Sequence, residues 1–149
     1  PNRGELLKPL IAQSSITEKI IVLDGHADQA LAAADVALIA SGTATLEAAL
    51  YKCPMVIAYK VGRISAAIFK KMSYLPWIGL PNILCQETVV PERIQKEMNA
   101  KQLSSDVLSW LDSPQKIEDL KKRFTELHYT LRCNTAKTAT DVIAEFIKR

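Results

Sequence analysis

An α/β fold, with a parallel sheet covered by flanking helices and followed by C-terminal helices, is what the sequence predicts on three observations. The first half carries short apolar runs without polar alternation, as expected of strands buried on both faces. Each run is followed by a helix-prone stretch, the order that builds parallel sheets. The second half shows only helical periodicities. With 149 residues, 48% of them hydrophobic and 23% charged, the chain is long enough for one domain with a real core.

"ELLKPLIAQ" near the start reads as helical, with Pro9 as an interruption. "EKIIVLDG" (18–25) reads as a buried strand closed by Asp-Gly, and "HADQALAAA" (26–34) as an Ala-rich helix. "DVALIA" (35–40) is a second strand and "TATLEAALYK" (43–52) a second helix. "PMVIAYK" (54–60) is a third strand, with Pro54 at the first position, where it is tolerated. "ISAAIFKKMSY" (64–74) is helical and "WIGL" (77–80) a short fourth strand.

In the second half, Pro91 opens a helix "PERIQKEM" at its first position. Asn99 and Gln102 resemble a capping box ahead of "LSSDVLSWL", and Ser113-Pro114 opens a helix running to about Arg132. Its apolar positions Ile117, Leu120, Phe124, Leu127 and Leu131 alternate by three and four. The stripe is too short for a sustained coiled coil, so it reads as a helix packed on its own domain, with a partner helix in a dimer as the alternative. Asn134 caps a last helix with Val142, Ile143 and Phe146 on one face. No internal repeat or low-complexity linker is present.

The net charge of +3 suits an anionic ligand or a phospholipid surface and is too small to imply nucleic acid. Cys53, Cys85 and Cys133 stand far apart without a CxxC pair, and only His26 and His128 could join them. A zinc site or disulfide framework is not expected, and reduced cytoplasmic thiols are the default. No apolar run approaches the ~20 residues of a spanning helix, and no signal-peptide pattern opens the sequence. Pro1 in place of an initiator Met suggests a piece of something longer.

The stretch "IASGTATLEAAL" (39–50) holds the candidate chemistry. Ligands of open parallel sheets bind beyond the carboxyl ends of the strands. Ser41, Gly42 and Thr43 stand there, ahead of a helix start whose N–H groups and dipole suit phosphate. With Thr43 as N-cap, a capping-box Glu would fall at position 46, which is Leu. Glu47 is one residue later, where a carboxylate can accept two hydrogen bonds from a ribose diol. Equally, Ser, Gly and Thr are ordinary helix starters, and an early acidic residue gains roughly 0.3–1 kcal/mol from the helix dipole. On these residues alone the two readings stand level. No GxGxxG, Walker lysine motif or GxSxG supports a dinucleotide, triphosphatase or hydrolase site.

"LDGHADQALAAADVALIASGTATLEAALYKCPMVIAYKV", "LPWIGLPNIL", "VVPERIQ" and "ELHYTLRCNTA", taken in order, resemble the lipid-A-disaccharide synthase family over nearly the whole chain. These are bacterial glycosyltransferases of two-domain GT-B architecture. The ordered set SGTATLEA, LPNIL and LHxxLRCN carries the likeness. The resemblance implies transfer of 2,3-diacylglucosamine from UDP to 2,3-diacylglucosamine 1-phosphate, giving a β-1,6-linked disaccharide 1-phosphate on the path to lipid A. It implies a Rossmann-like UDP-sugar-binding domain over residues 1–112, incomplete at its N-terminus, and a helical extension over 113–149.

Carried over by motif, Ser41, Gly42, Thr43 and Ala44 face the diphosphate, Glu47 the ribose, and Asp24, Gly25 and His26 the uracil. Asn82 is implied near the donor phosphate or sugar, although by itself it could be a turn-former after Pro81. Gln86 and Glu87 are weaker candidates in the same loop. The catalytic base and acceptor site are expected in an N-terminal domain beyond this chain, which alone is expected to be inactive. No cofactor and no metal are expected, since no DxD-type pair stands at a strand end. The expected partners are UDP-2,3-diacylglucosamine and 2,3-diacylglucosamine 1-phosphate, a membrane surface at the cytoplasmic face of the bacterial inner membrane, and a second copy through the C-terminal helices. The alternatives are another UDP-sugar enzyme of this architecture, or a non-catalytic interaction module dimerising through residues 114–149. "VGRISAAIFKKMSYLPW" (61–77) reads as an amphipathic helix packed on the sheet with its lysines in solvent, a lipid contact being the alternative.

Overall fold

Strands β1 (Ala37–Ala40), β2 (Met55–Tyr59) and β3 (Glu92–Ile94) form a parallel sheet in the order β1-β2-β3. The computed structural model describes residues 3–16, 19–40, 42–62 and 75–147. The helices are α1 (Arg3–Ala12), α2 (Ala27–Ala33), α3 (Thr43–Leu50), α4 (Leu80–Cys85), α5 (Ala100–Leu111), α6 (Pro114–Leu131) and α7 (Thr135–Ile147). An α/β sheet followed by C-terminal helices is thus observed, as the apolar runs required.

The central strand decides the packing. Met55, Val56 and Ile57 are fully buried, so β2 has no solvent face, and α3 and α5 both pack on it. Trp110, at the end of α5, is buried and donates its indole N–H to the Met55 carbonyl at 3.2 Å. Burying that ring without a partner for its N–H would carry a desolvation cost. Leu120, Phe124 and Leu127 of α6 enter the same core, with Ile117 and Leu131 at its margin. The three-four stripe therefore packs on its own domain. Asn134 caps α7, its side-chain oxygen accepting from the Lys137 N–H at 3.1 Å.

Four expectations are corrected. Residues 20–23 form no strand: Ile21 is 83% exposed, and the outer edge of β1 has no ladder partner among the described residues. A strand exists only through its partner, however apolar the run. "WIGL" is not a strand either, because the Ile78 and Gly79 N–H groups go to the Glu92 carboxylate and Leu80 starts α4. "PERIQKEM" is not an α-helix: Glu92–Ile94 pairs with Ile57–Tyr59, the ladder prevailing over the Pro-Glu helix signal, and only Gln95–Glu97 makes a single 3-10 turn. Helix α1 continues through Pro9, losing one backbone bond rather than ending there. The helix expected over 64–74 lies outside the described residues.

Gly79, just before α4, is needed for close approach, since a methyl group there would collide with Ile57 Cδ1. Arg93 of β3 grips Asp106 of α5 with two bonds, Nε to Oδ2 at 2.6 Å and Nη2 to Oδ1 at 2.8 Å. Bidentate pairing of this kind is stronger than a neutral hydrogen bond. The hydrogen bonds from Arg93 hold the Asp106 carboxyl below the usual carboxylate range, against partial burial, which raises it. A carboxyl depressed in the folded state stabilises the fold above its unfolded value of about 3.9, and that contribution is lost as pH falls through the lower folded value. Asp106→Asn should cost about 2 kcal/mol at pH 7 and flatten the loss of stability below about pH 4. Urea melts of both proteins at neutral and acid pH measure it; parallel acid limbs would show the pair uncoupled from folding.

Candidate functional site

Because the sheet is parallel, the three chain exits lie along one edge. Ala40 pairs with Ala58, Ala58 with Arg93, and Tyr59 with Ile94. Beyond those residues come Gly42 and α3 after β1, Lys60–Gly62 after β2, and Gln95 after β3.

The N-cap of α3 is Gly42 rather than Thr43. Its φ of 128° and ψ of −165° suit glycine, and nothing lies within 4 Å of the position a Cβ would take. The helix start has no side-chain cap; what sequence reasoning missed is Thr45, which braces the turn from within. Fully buried, it donates its hydroxyl to the Gly42 carbonyl at 2.7 Å, while its N–H reaches the same oxygen at 3.1 Å. With Thr45 turned inward, the solvent side of the helix start is left to Gly42, Thr43 and Ala44, all exposed. The first-turn N–H groups of Thr43 and Ala44 have no carbonyl within the helix to bond. Glu47 is exposed one turn on, four residues from Thr43 and so on the same side of the helix. Ser41 lies outside the described residues.

Asp24, Gly25 and His26 form the exposed entry to α2, with positive φ at Gly25 (81°) and at the N-cap His26 (56°). No hydrogen bond among the described residues joins this loop to the start of α3. Among the described residues, no group of three His, Cys, Asp or Glu side chains is placed to hold a metal.

Asn82 departs from its expected place. It is wholly buried in α4. Its amide donates to the Val90 carbonyl at 2.9 Å and to Glu92 Oε1 at 2.8 Å, and its oxygen accepts from the Val89 and Val90 N–H groups at 2.8 and 3.0 Å. Two donors and two acceptor sites are thus engaged within the chain, leaving none for a ligand. Glu92, which sequence reasoning took for a helical residue, accepts from the Ile78 and Gly79 N–H groups at 2.8 and 2.9 Å. Gln86 caps the end of α4, and Glu87 pairs with Arg123 of α6 at 2.7 Å. Both stand on the chain entering β3, not on the chain leaving it. Asn82→Ala should destabilise the protein by at least about 3 kcal/mol, because it strands several buried backbone and carboxylate partners. A urea midpoint within error of the parent would mean that water replaces this side chain without penalty.

The family model described as lipid-A-disaccharide synthetase matches residues 1–143. Among relatives, the chain is 48% identical over 130 residues to a lipid-A-disaccharide synthase of Cupriavidus pinatubonensis, covering 87% of this chain and 32% of that protein. It is 45% identical over 144 residues to the Azoarcus sp. protein of the same name, covering 96% and 37%. Against the Thiobacillus denitrificans synthase it is 43% identical over 150 residues, covering 99% and 40%. The chain spans about a third to two-fifths of the length of the curated relatives it matches.

Proposed function

The chain belongs to the lipid-A-disaccharide synthetase family, and on that footing we propose that it is the donor-nucleotide part of a glycosyltransferase. The whole enzyme would move 2,3-diacylglucosamine from UDP to 2,3-diacylglucosamine 1-phosphate, with this chain holding the UDP. The observation that carries the proposal is the start of α3, with an exposed Gly42 N-cap at the carboxyl edge of the sheet and an exposed Glu47 one turn in.

The first-turn N–H groups, with the hydroxyls of Ser41 and Thr43, would bind the diphosphate, and the carboxylate of Glu47 the ribose diol. The Asp24–His26 loop would meet the uracil. As the glycosidic bond breaks, negative charge grows on the leaving diphosphate, where a helix N-terminus stabilises it without reorganising. Asn82 would act at a distance, by holding the loop that leads into β3. Residues 1–112 would form the nucleotide domain and 113–149 its helical extension. The acylated substrates would bring the enzyme to the cytoplasmic face of the inner membrane; no helix among the described residues is long and apolar enough to cross it.

Titration of the chain with UDP, with ADP as control, should move the backbone amide resonances of Gly42 to Glu47. Glu47→Ala should weaken UDP by about tenfold or more, the worth of a hydrogen bond to a charged group. Saturating UDP with those amides unmoved would end the proposal.

A second reading, dimerisation through the C-terminal helices, is favoured by α7. Its Val142, Ile143, Phe146 and Ile147 are 58–80% exposed, and none of its residues is buried. Sedimentation should show concentration-dependent association that Phe146→Asp abolishes; a monomer at all concentrations would exclude it.

A further inference from the structure

The first residue past β3 is under constraint. Gln95 has a φ of 53°, a left-handed conformation that non-glycine side chains adopt rarely and keep only where the surroundings enforce it. It is half-buried, and its side-chain oxygen accepts the Val61 N–H at 3.3 Å, 34 residues back along the chain. Tyr59 and Ile94 are the last paired residues of β2 and β3. The bond therefore ties the exit of one strand to the exit of its neighbour, just where the ladder stops.

We infer that Gln95 is a positioning residue for the carboxyl-edge site, holding loop 60–62 beside the start of α3. The inference rests on the nucleotide reading and deepens it. Glycine at α3 supplies close approach on the β1 side of the edge. On the β2 side the chain leaves the sheet at Lys60, and a loop free to rotate there would have to be ordered at the moment of binding. A loop already tied by the Gln95 side chain has lost that freedom before the ligand arrives, so less affinity is given up. The left-handed backbone at Gln95 is the local cost of the arrangement, and a gain at the site accounts for its being kept.

Three substitutions separate the bond from the backbone strain. Gln95→Gly and Gln95→Asn both suit a positive φ, but one removes the acceptor and the other shortens it. Gln95→Glu keeps an acceptor oxygen at the same reach. In the 149-residue chain, Gly and Asn should speed hydrogen exchange at the Val61 amide and weaken UDP roughly tenfold, with the urea midpoint held or raised. Gln95→Glu should return the exchange rate towards the parent, while its added negative charge keeps UDP weaker than in the parent. Faster exchange at Val61 with UDP affinity unchanged would overturn the inference, leaving Gln95 a structural residue. So would unchanged exchange in the Gly variant. If UDP moves no resonance in the unaltered chain, the nucleotide reading itself falls and takes this one with it. That result is distinct from variants that bind UDP as well as the parent does.

Discussion

Four hydrogen bonds on one buried amide, that of Asn82, fix the segment that leads from α4 into β3. They join α4, the Val89–Val90 segment and the carboxylate of Glu92, which in turn caps the backbone entering α4. A side chain at residue 79 would press on the end of the Ile57 side chain beneath it. A polar cluster buried this deeply tolerates no missing member, since each partner left alone carries its own desolvation cost. The position of β3 follows from the cluster, and from β3 follow Arg93 on α5 and Gln95 at the exit. The carboxyl edge is thus built from behind, by residues that never reach it.

The parts of the fold legible in the sequence were those whose pattern and environment agree. β1, β2, α2, α3, α5 and α6 each carry an apolar pattern that the core meets, while the apolar face that marked α7 stays exposed. The apolar run at 20–23 misled because hydrophobicity marks a strand only where a neighbour completes the ladder. Glu92–Ile94 misled in the opposite sense. Pro91-Glu92 is good helix-start chemistry, and nothing local shows that Ile57–Tyr59 stands ready to pair with the three residues after it. Around the proposed site, the helix start at Gly42–Thr43 with an exposed Glu47 was legible because a strand end followed by a small polar loop marks a helix beginning. Thr45, Glu92 and Gln95 were not, since each matters through a partner distant in sequence or hidden in the turn itself. Asn82 was noticed from its string, but its burial and its four intrachain bonds could not be read from a residue that also makes turns.

Division of labour along the sheet is clear from the charges. On the amino side, the Arg123–Glu87 ion pair and a hydrogen bond from the Lys52 ammonium to His128 Nδ1 at 2.7 Å join α6 to the rest of the domain. An exposed pair such as Arg123–Glu87 adds little to stability singly. The exit side carries the exposed start of α3 with Glu47, Lys60 past β2, and Lys96 and Glu97 past β3. An anion arriving at this edge would meet backbone dipoles at α3 and the exposed Lys60 just past β2.

The outer edge of β1 has a colloidal consequence. Four residues there present backbone groups without a ladder partner among the described residues, and Leu38 alongside them is 55% exposed. Such an edge is a template for another strand, and it meets only the weak mutual repulsion of a chain carrying +3. Salt shortens the range of that repulsion while leaving the apolar attraction intact. Solubility of the isolated chain should thus fall with ionic strength and concentration well before its folding equilibrium shifts, so its shelf life in buffer is set at β1 and not at the core.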